Sequence, residues 1–149
     1  MKKIATITIA VIVGSFCAVN FLLAPNQLNY INSSTIGGLA MMKQLATETI
    51  SYQEAVINNR PTLVEFYADW CTTCQSMSPT LKELKENYSE TVNFVMVDID
   101  APENQGLIQT YQVAGVPQWD ILDRDAHTVK QLIGKLPKPI LESNLLAVQ

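Results

Sequence analysis

The chain has 149 residues, a formal net charge of −4 and charged side chains at 16% of positions. That length suits one domain with a short appendage, and the apolar content is ample for a core, which excludes a disordered chain. An acidic balance without a cluster of Lys and Arg excludes nucleic acid as a natural partner.

The chain opens "MKKIATITIAVIVGSFCAVNFLLAP", and no charge follows Lys3 until Lys43. As a helix rising 1.5 Å per residue, Ile4 to Ala24 would span roughly 31 Å, enough for a bilayer core. A cleaved signal peptide is the competing reading. Phe16-Cys17-Ala18 puts a bulky residue where cleavage wants a small one, and Leu22-Leu23-Ala24 runs into Pro25. Residues 1–24 are therefore expected to form one transmembrane helix that stays as an anchor, an uncleaved signal in effect. Lysines ahead of the span place the following domain across the membrane. Cys17 lies inside the span and is expected to be inert. Residues 25–47, rich in Asn, Ser and Gly at "PNQLNYINSSTIGG", read as a flexible linker.

Residues 48–149 read as one α/β domain. Ser51-Tyr52-Gln53-Glu54 has the capping-box pattern and opens a short helix ending near Asn59, before Pro61. "TLVEFYA" (62–68) is a strand by its β-branched and aromatic content. The next helix starts around the cysteines and runs through "SPTLKELKENY", with Leu81, Leu84 and Tyr88 on one core-facing side. "VNFVMVDI" (92–99) is a nearly continuous apolar strand, as in a sheet covered on both faces. "PENQGLIQTY" predicts a helix to about Tyr111. "QWDIL" (118–122) and "TVKQLIG" (128–134) predict two strands joined by a turn at Asp123-Arg124-Asp125-Ala126, and "KPILESNLLAV" a closing amphipathic helix. The order α-β-α-β-α-β-β-α predicts a central mixed sheet of four to five strands flanked by helices.

"EFYADWCTTCQSMSP" places Cys71 and Cys74 three positions apart, directly after a strand and Trp70. Three uses compete. A structural staple closing so small a ring would stabilise by only roughly 2 kcal/mol, against about 3 for a 15-residue loop. A metal clip needs three or four ligands, and the domain's other soft donors are His127, on a predicted turn, and scattered Met residues. Covalent haem wants a histidine after the second cysteine, where Gln75 stands. A redox pair is the favoured reading: two thiols on the first turn of a helix lie close enough to oxidise, and the helix N-terminus stabilises a thiolate at Cys71. Cys71 would then attack a substrate disulfide and Cys74 resolve the mixed disulfide, with neither metal nor cofactor called for.

With that motif on a strand-to-helix turn, residues 48–149 resemble the thioredoxin superfamily. "EFYADWCTTC", Pro79 five residues after Cys74, "GVP" (115–117) and Gly134 carry the resemblance. It implies a thioredoxin fold, a cis bond before Pro117 facing the cysteines, and a substrate groove bordered by Val116 and Pro117. Trp70 is expected as a flat wall beside Cys71, with core packing the alternative. Trp119 is expected to pack in the core or at its rim. Glu65 stands where such proteins carry a buried aspartate thought to help deprotonate the second cysteine. Met96 appears where the lysine partner of that aspartate would be. A buried Glu65 would have a raised pKa and could exchange a proton with Cys74; the alternative is a partly exposed strand glutamate.

With the anchor, the chain looks most like the membrane-anchored thioredoxin-like proteins of cyanobacteria and plastid thylakoids. That resemblance implies a reductant of protein disulfides, apocytochrome c above all, on the periplasmic or thylakoid-lumenal side. It also implies a transmembrane thiol transporter as electron donor. A thiol oxidase or isomerase, and a non-catalytic tethered binding module for membrane-complex assembly, are the alternatives.

Overall fold

The structure is a computed structural model and describes residues 37–149. The anchor expected at residues 1–24 and the linker as far as residue 36 lie outside them. Among the described residues no helix is long and apolar enough to cross a membrane.

Among the described residues five α-helices and four strands follow in order: α1 (Gly38–Glu48), α2 (Tyr52–Ala55), β1 (Thr62–Tyr67), α3 (Thr72–Tyr88), β2 (Asn93–Asp98), a 3-10 turn (Pro102–Asn104) leading into α4 (Gln105–Thr110), β3 (Gln118–Leu122), β4 (Thr128–Ile133) and α5 (Lys138–Leu146). The sheet order is β2-β1-β3-β4. β1 and β2 run parallel, joined through α3, while β3 is antiparallel to both β1 and β4. This is the mixed sheet of the thioredoxin fold, with four strands.

β1 is buried along its whole length, as a central strand between helical layers must be. Its alternate residues feed two cores. Leu63 joins Met77, Leu81 and Leu84 of α3, Trp119 and Ile121 of β3, and Leu141 and Leu145 of α5. Val64 and Phe66 join Ala55, Val95, Val97, Tyr111 and Leu122 on the opposite face. Trp119 is wholly buried, in keeping with a packing role.

Three expectations need correction. The linker expected to run to residue 47 gives way at Gly38 to α1, whose Met42 and Leu45 are buried. Met42 and Leu45 sit three apart, one helical turn, so the segment has a face to bury and folds onto the domain instead of staying solvated. The helix expected to reach Asn59 is regular only over Tyr52–Ala55; its Ser51 cap accepts the Glu54 amide as the capping pattern requires, and Asn59 has left-handed backbone (φ 57°). The helix expected through Tyr111 is broken into a 3-10 turn and α4.

Candidate active site

The chain leaves β1 and turns at Ala68-Asp69-Trp70, where the Cys71 amide donates to the Ala68 carbonyl. Cys71 becomes the N-cap of α3 with extended backbone, and its Sγ accepts the Cys74 backbone N–H at 3.0 Å. A sulfur at this position receives an amide that no helical carbonyl can satisfy and lies at the positive end of a 17-residue helix. Cys71 and Cys74 are joined as a disulfide. Cys71 is 5% exposed and Cys74 has no accessible surface, so any partner disulfide meets Cys71 first.

Both cysteines belong to a small apolar cluster with Met42, Tyr67 and Ala68, against which Val116, Met96 and Ile99 pack. Val116 thus reaches the cysteine-bearing cluster from the loop before β3. The Val116–Pro117 bond is cis, and the buried Pro117 is tied down by its carbonyl, which accepts the Gly134 N–H at 2.8 Å. Gly134 has φ 88°, a left-handed conformation suited to glycine. The two residues singled out by the GVP and Gly134 matches therefore meet.

Trp70 is 65% exposed, so core packing is not its role. Its indole N–H donates to Asp100 Oδ2 at 2.8 Å, which fixes the ring's orientation. Beside it lies an open groove of about 310 Å³, walled by Ile99, Ile108, Val113 and Val116. Asp100 and the groove's far wall were not legible in the sequence, where nothing marks a loop carboxylate as the partner of an indole.

Glu65 is 1% exposed, not a surface strand residue. Alternation along β1 puts it on the α3 side of the sheet with Leu63 and Tyr67. Its ladder neighbours are Met96 on β2 and Trp119 on β3, so no cation faces it across either strand pairing. Oε1 has no hydrogen-bond partner. Loss of water with no compensating charge pushes its carboxyl up to about 8. Of the site residues expected from sequence, Cys71 and Cys74 share one cluster with Val116 packed against it, Pro117 is buried next to Val116, Glu65 is buried within β1, and Trp70 stands outside as a pinned, exposed ring.

A family profile described as Thioredoxin matches residues 42–147. The chain is 42% identical over 111 residues to the thiol:disulfide interchange protein TxlA homolog of Synechocystis sp., covering 74% of this chain and 61% of that protein. It is 35% identical over 112 residues to the chloroplastic thioredoxin-like protein HCF164 of Oryza sativa subsp. japonica, covering 75% of this chain and 42% of that protein. A thioredoxin of Alicyclobacillus acidocaldarius is 35% identical, with 69% of this chain and 98% of that one covered. Among solved structures, a mutant thioredoxin from Halobacterium salinarum superposes with a TM-score of 0.58 at 29% identity, covering 64% of this chain and 80% of that chain. The match thus spans about three-fifths or less of the first two relatives and nearly the whole of a free-standing thioredoxin.

Proposed function

Because the chain belongs to the thioredoxin family, we propose that it is a thiol–disulfide oxidoreductase that reduces disulfides in protein substrates through Cys71 and Cys74. The observation that carries this is the Cys71 sulfur at the α3 N-cap, receiving the Cys74 amide. In the reduced protein the same amide and helix end favour the thiolate over the thiol. The Cys71 thiolate attacks one sulfur of the substrate disulfide, forms a mixed disulfide and expels the first substrate thiolate. Cys74 then loses its proton and attacks Cys71 Sγ. The Cys71–Cys74 disulfide forms, the second substrate thiolate leaves, and two electrons have passed to the substrate.

Glu65 is the proton acceptor for Cys74 in this scheme. A carboxyl that titrates near 8 is, once ionised, a stronger base than an ordinary one near 4.5, so its ionised fraction, which grows as pH rises toward 8, is matched to take a thiol proton. Trp70 and Val116 border the groove that holds an extended substrate segment beside Cys71, chiefly by main-chain contacts, and the buried Pro117 shapes that edge from behind Val116.

The charge-free stretch after Lys2 and Lys3 supports a tether that holds the domain on the periplasmic or thylakoid-lumenal side. The names of the relatives, an interchange protein and a chloroplastic thioredoxin-like protein, are in keeping with that setting. There apocytochrome c is the favoured substrate, and a transmembrane thiol transporter the electron donor.

The deciding experiment is the reduction potential of the Cys71–Cys74 couple together with turnover of an insulin disulfide. A potential of about −250 mV or lower fits a reductant, whereas one between roughly −120 and −180 mV makes the protein an oxidant or isomerase instead. Cys71→Ser abolishes turnover; a cell in which the Cys71→Ser, Cys74→Ser double variant still supports function contains a binding module, not an enzyme.

A further inference from the structure

Val113 to Val116 line the groove, and the loop that carries them and the cis bond has no regular structure between α4 and β3. What holds it is a cluster of side chains on the sheet face opposite Glu65. Gln118 and Asp120 have no accessible surface, and Asp120 pairs directly with Gln131 across the β3–β4 ladder. The Gln118 amide nitrogen donates to the Tyr111 carbonyl (3.1 Å) and to Asp120 Oδ2 (2.9 Å). The Gln131 amide nitrogen donates to the same Tyr111 carbonyl (2.9 Å) and to Asp120 Oδ1 (3.0 Å). Gln118 Oε1, turned the other way, accepts the Ala114 backbone N–H at 3.4 Å.

We propose that Asp120, Gln118 and Gln131 form a carboxylate–amide brace that sets the position of the groove loop, making Asp120 and Gln118 positioning residues for substrate binding. The chemistry is directional. An ionised carboxylate accepts and cannot donate, so both glutamines must present NH2 to it. With its nitrogen committed to Asp120 and Tyr111, Gln118 has only its oxygen left, and that oxygen meets Ala114. The charge on Asp120 thus fixes which way an amide two residues away points, and that amide holds Ala114, two residues before Val116. Gln131 sits on the exposed edge strand, where water can replace it; Gln118 is buried and irreplaceable by solvent. The brace rests on the reading of the groove as the substrate site.

Asp120→Asn tests it with little change of shape. An asparagine offers one oxygen and one NH2, so one glutamine meets a donor where it had an acceptor and must turn, releasing Tyr111 or Ala114. In the full chain reducing insulin, KM is expected to rise about tenfold, equivalent to ~1.4 kcal/mol, with kcat within about twofold. Gln118→Met, which removes the Ala114, Tyr111 and Asp120 Oδ2 bonds and leaves the Gln131–Asp120 bond in place, is the second variant and carries the test where Asp120→Asn does not fold. Pairing Asp120→Asn with Gln131→Glu restores an acceptor for the asparagine NH2 and leaves its oxygen for Gln118, so KM returns to within about threefold of wild type. A folded Asp120→Asn or Gln118→Met protein with unchanged KM overturns the brace, as does an equal fall in kcat with KM unmoved. A wild-type chain that reduces no disulfide defeats the functional reading alone. The brace is then read from hydrogen exchange at the Ala114 amide, at least tenfold faster in Gln118→Met if it holds and unchanged if it does not.

Discussion

Burying a carboxyl costs most when it ionises, and Glu65 has neither cation nor donor at Oε1 to offset that cost. Folded, it keeps its proton to about pH 8; unfolded, only to about 4.5. Between those values the folded state binds more protons than the unfolded one. Stability therefore falls as pH rises from about 4.5 to about 8 and is flat in this group on either side, a loss of a few kcal/mol. Urea unfolding midpoints across that range should decline in the wild type and decline much less in Glu65→Gln. The decline that remains has a second source of the same sign in Asp120, whose carboxyl is also raised by burial, against the opposing bonds from Gln118 and Gln131. An identical slope in wild type and Glu65→Gln would show that Glu65 is not the titrating group. In catalysis the same substitution slows disulfide exchange and flattens its rise with pH; an unchanged rate profile removes Glu65 from the proton path. Cys71, Cys74 and Glu65 stood out in the sequence because they stand at fixed offsets in a strand–turn–helix unit, and Pro117 because GVP directly precedes a strand. Asp100 and Gln118 were not, since a carboxylate or amide acquires its meaning only from what the fold sets opposite it.

Among the elements, α1 shows how composition misleads. Gly37 and Gly38 end a polar stretch and look like more tether, but Gly38 is there for proximity. A Cβ on it would lie 2.9 Å from the Gln75 carbonyl oxygen of α3. Pro79, four residues on, has no N–H to give that carbonyl, which leaves the first turns of α3 open to a close neighbour. Gly38→Ala must push α1 away from the helix that bears Cys74 and should cost about 1–3 kcal/mol. Met42, with no accessible surface and packed in the cysteine cluster, gives a second measure. Met42→Ala should lower unfolding free energy by about 2–5 kcal/mol in urea titration; a loss under about 1 kcal/mol would mean that α1 is only loosely laid on the domain. The strands, by contrast, were placed from sequence to within a residue or two, because runs of β-branched and aromatic residues bounded by turn residues leave patterns in residue type that a short, glycine-led helix does not.

For the molecule as a whole, residues 37–149 form one compact unit. Two cores lie on either side of a single sheet. A protein starting at Gly37 is expected to keep its fold and insulin reductase activity and, under the proposed tether, to stay soluble where the full chain is expected to sediment with membranes. If it loses activity in solution, the preceding residues contribute to the site and not merely to its address. The same architecture equips the protein with two separate optical channels. Its two tryptophans occupy opposite extremes: Trp119 has no accessible surface, while Trp70 stands 65% exposed next to Cys71. Blue-edge emission from the first should report loss of the fold. Red-edge emission from the second, quenched by the adjacent disulfide and released on its reduction, should follow the electron count of the site without any attached dye.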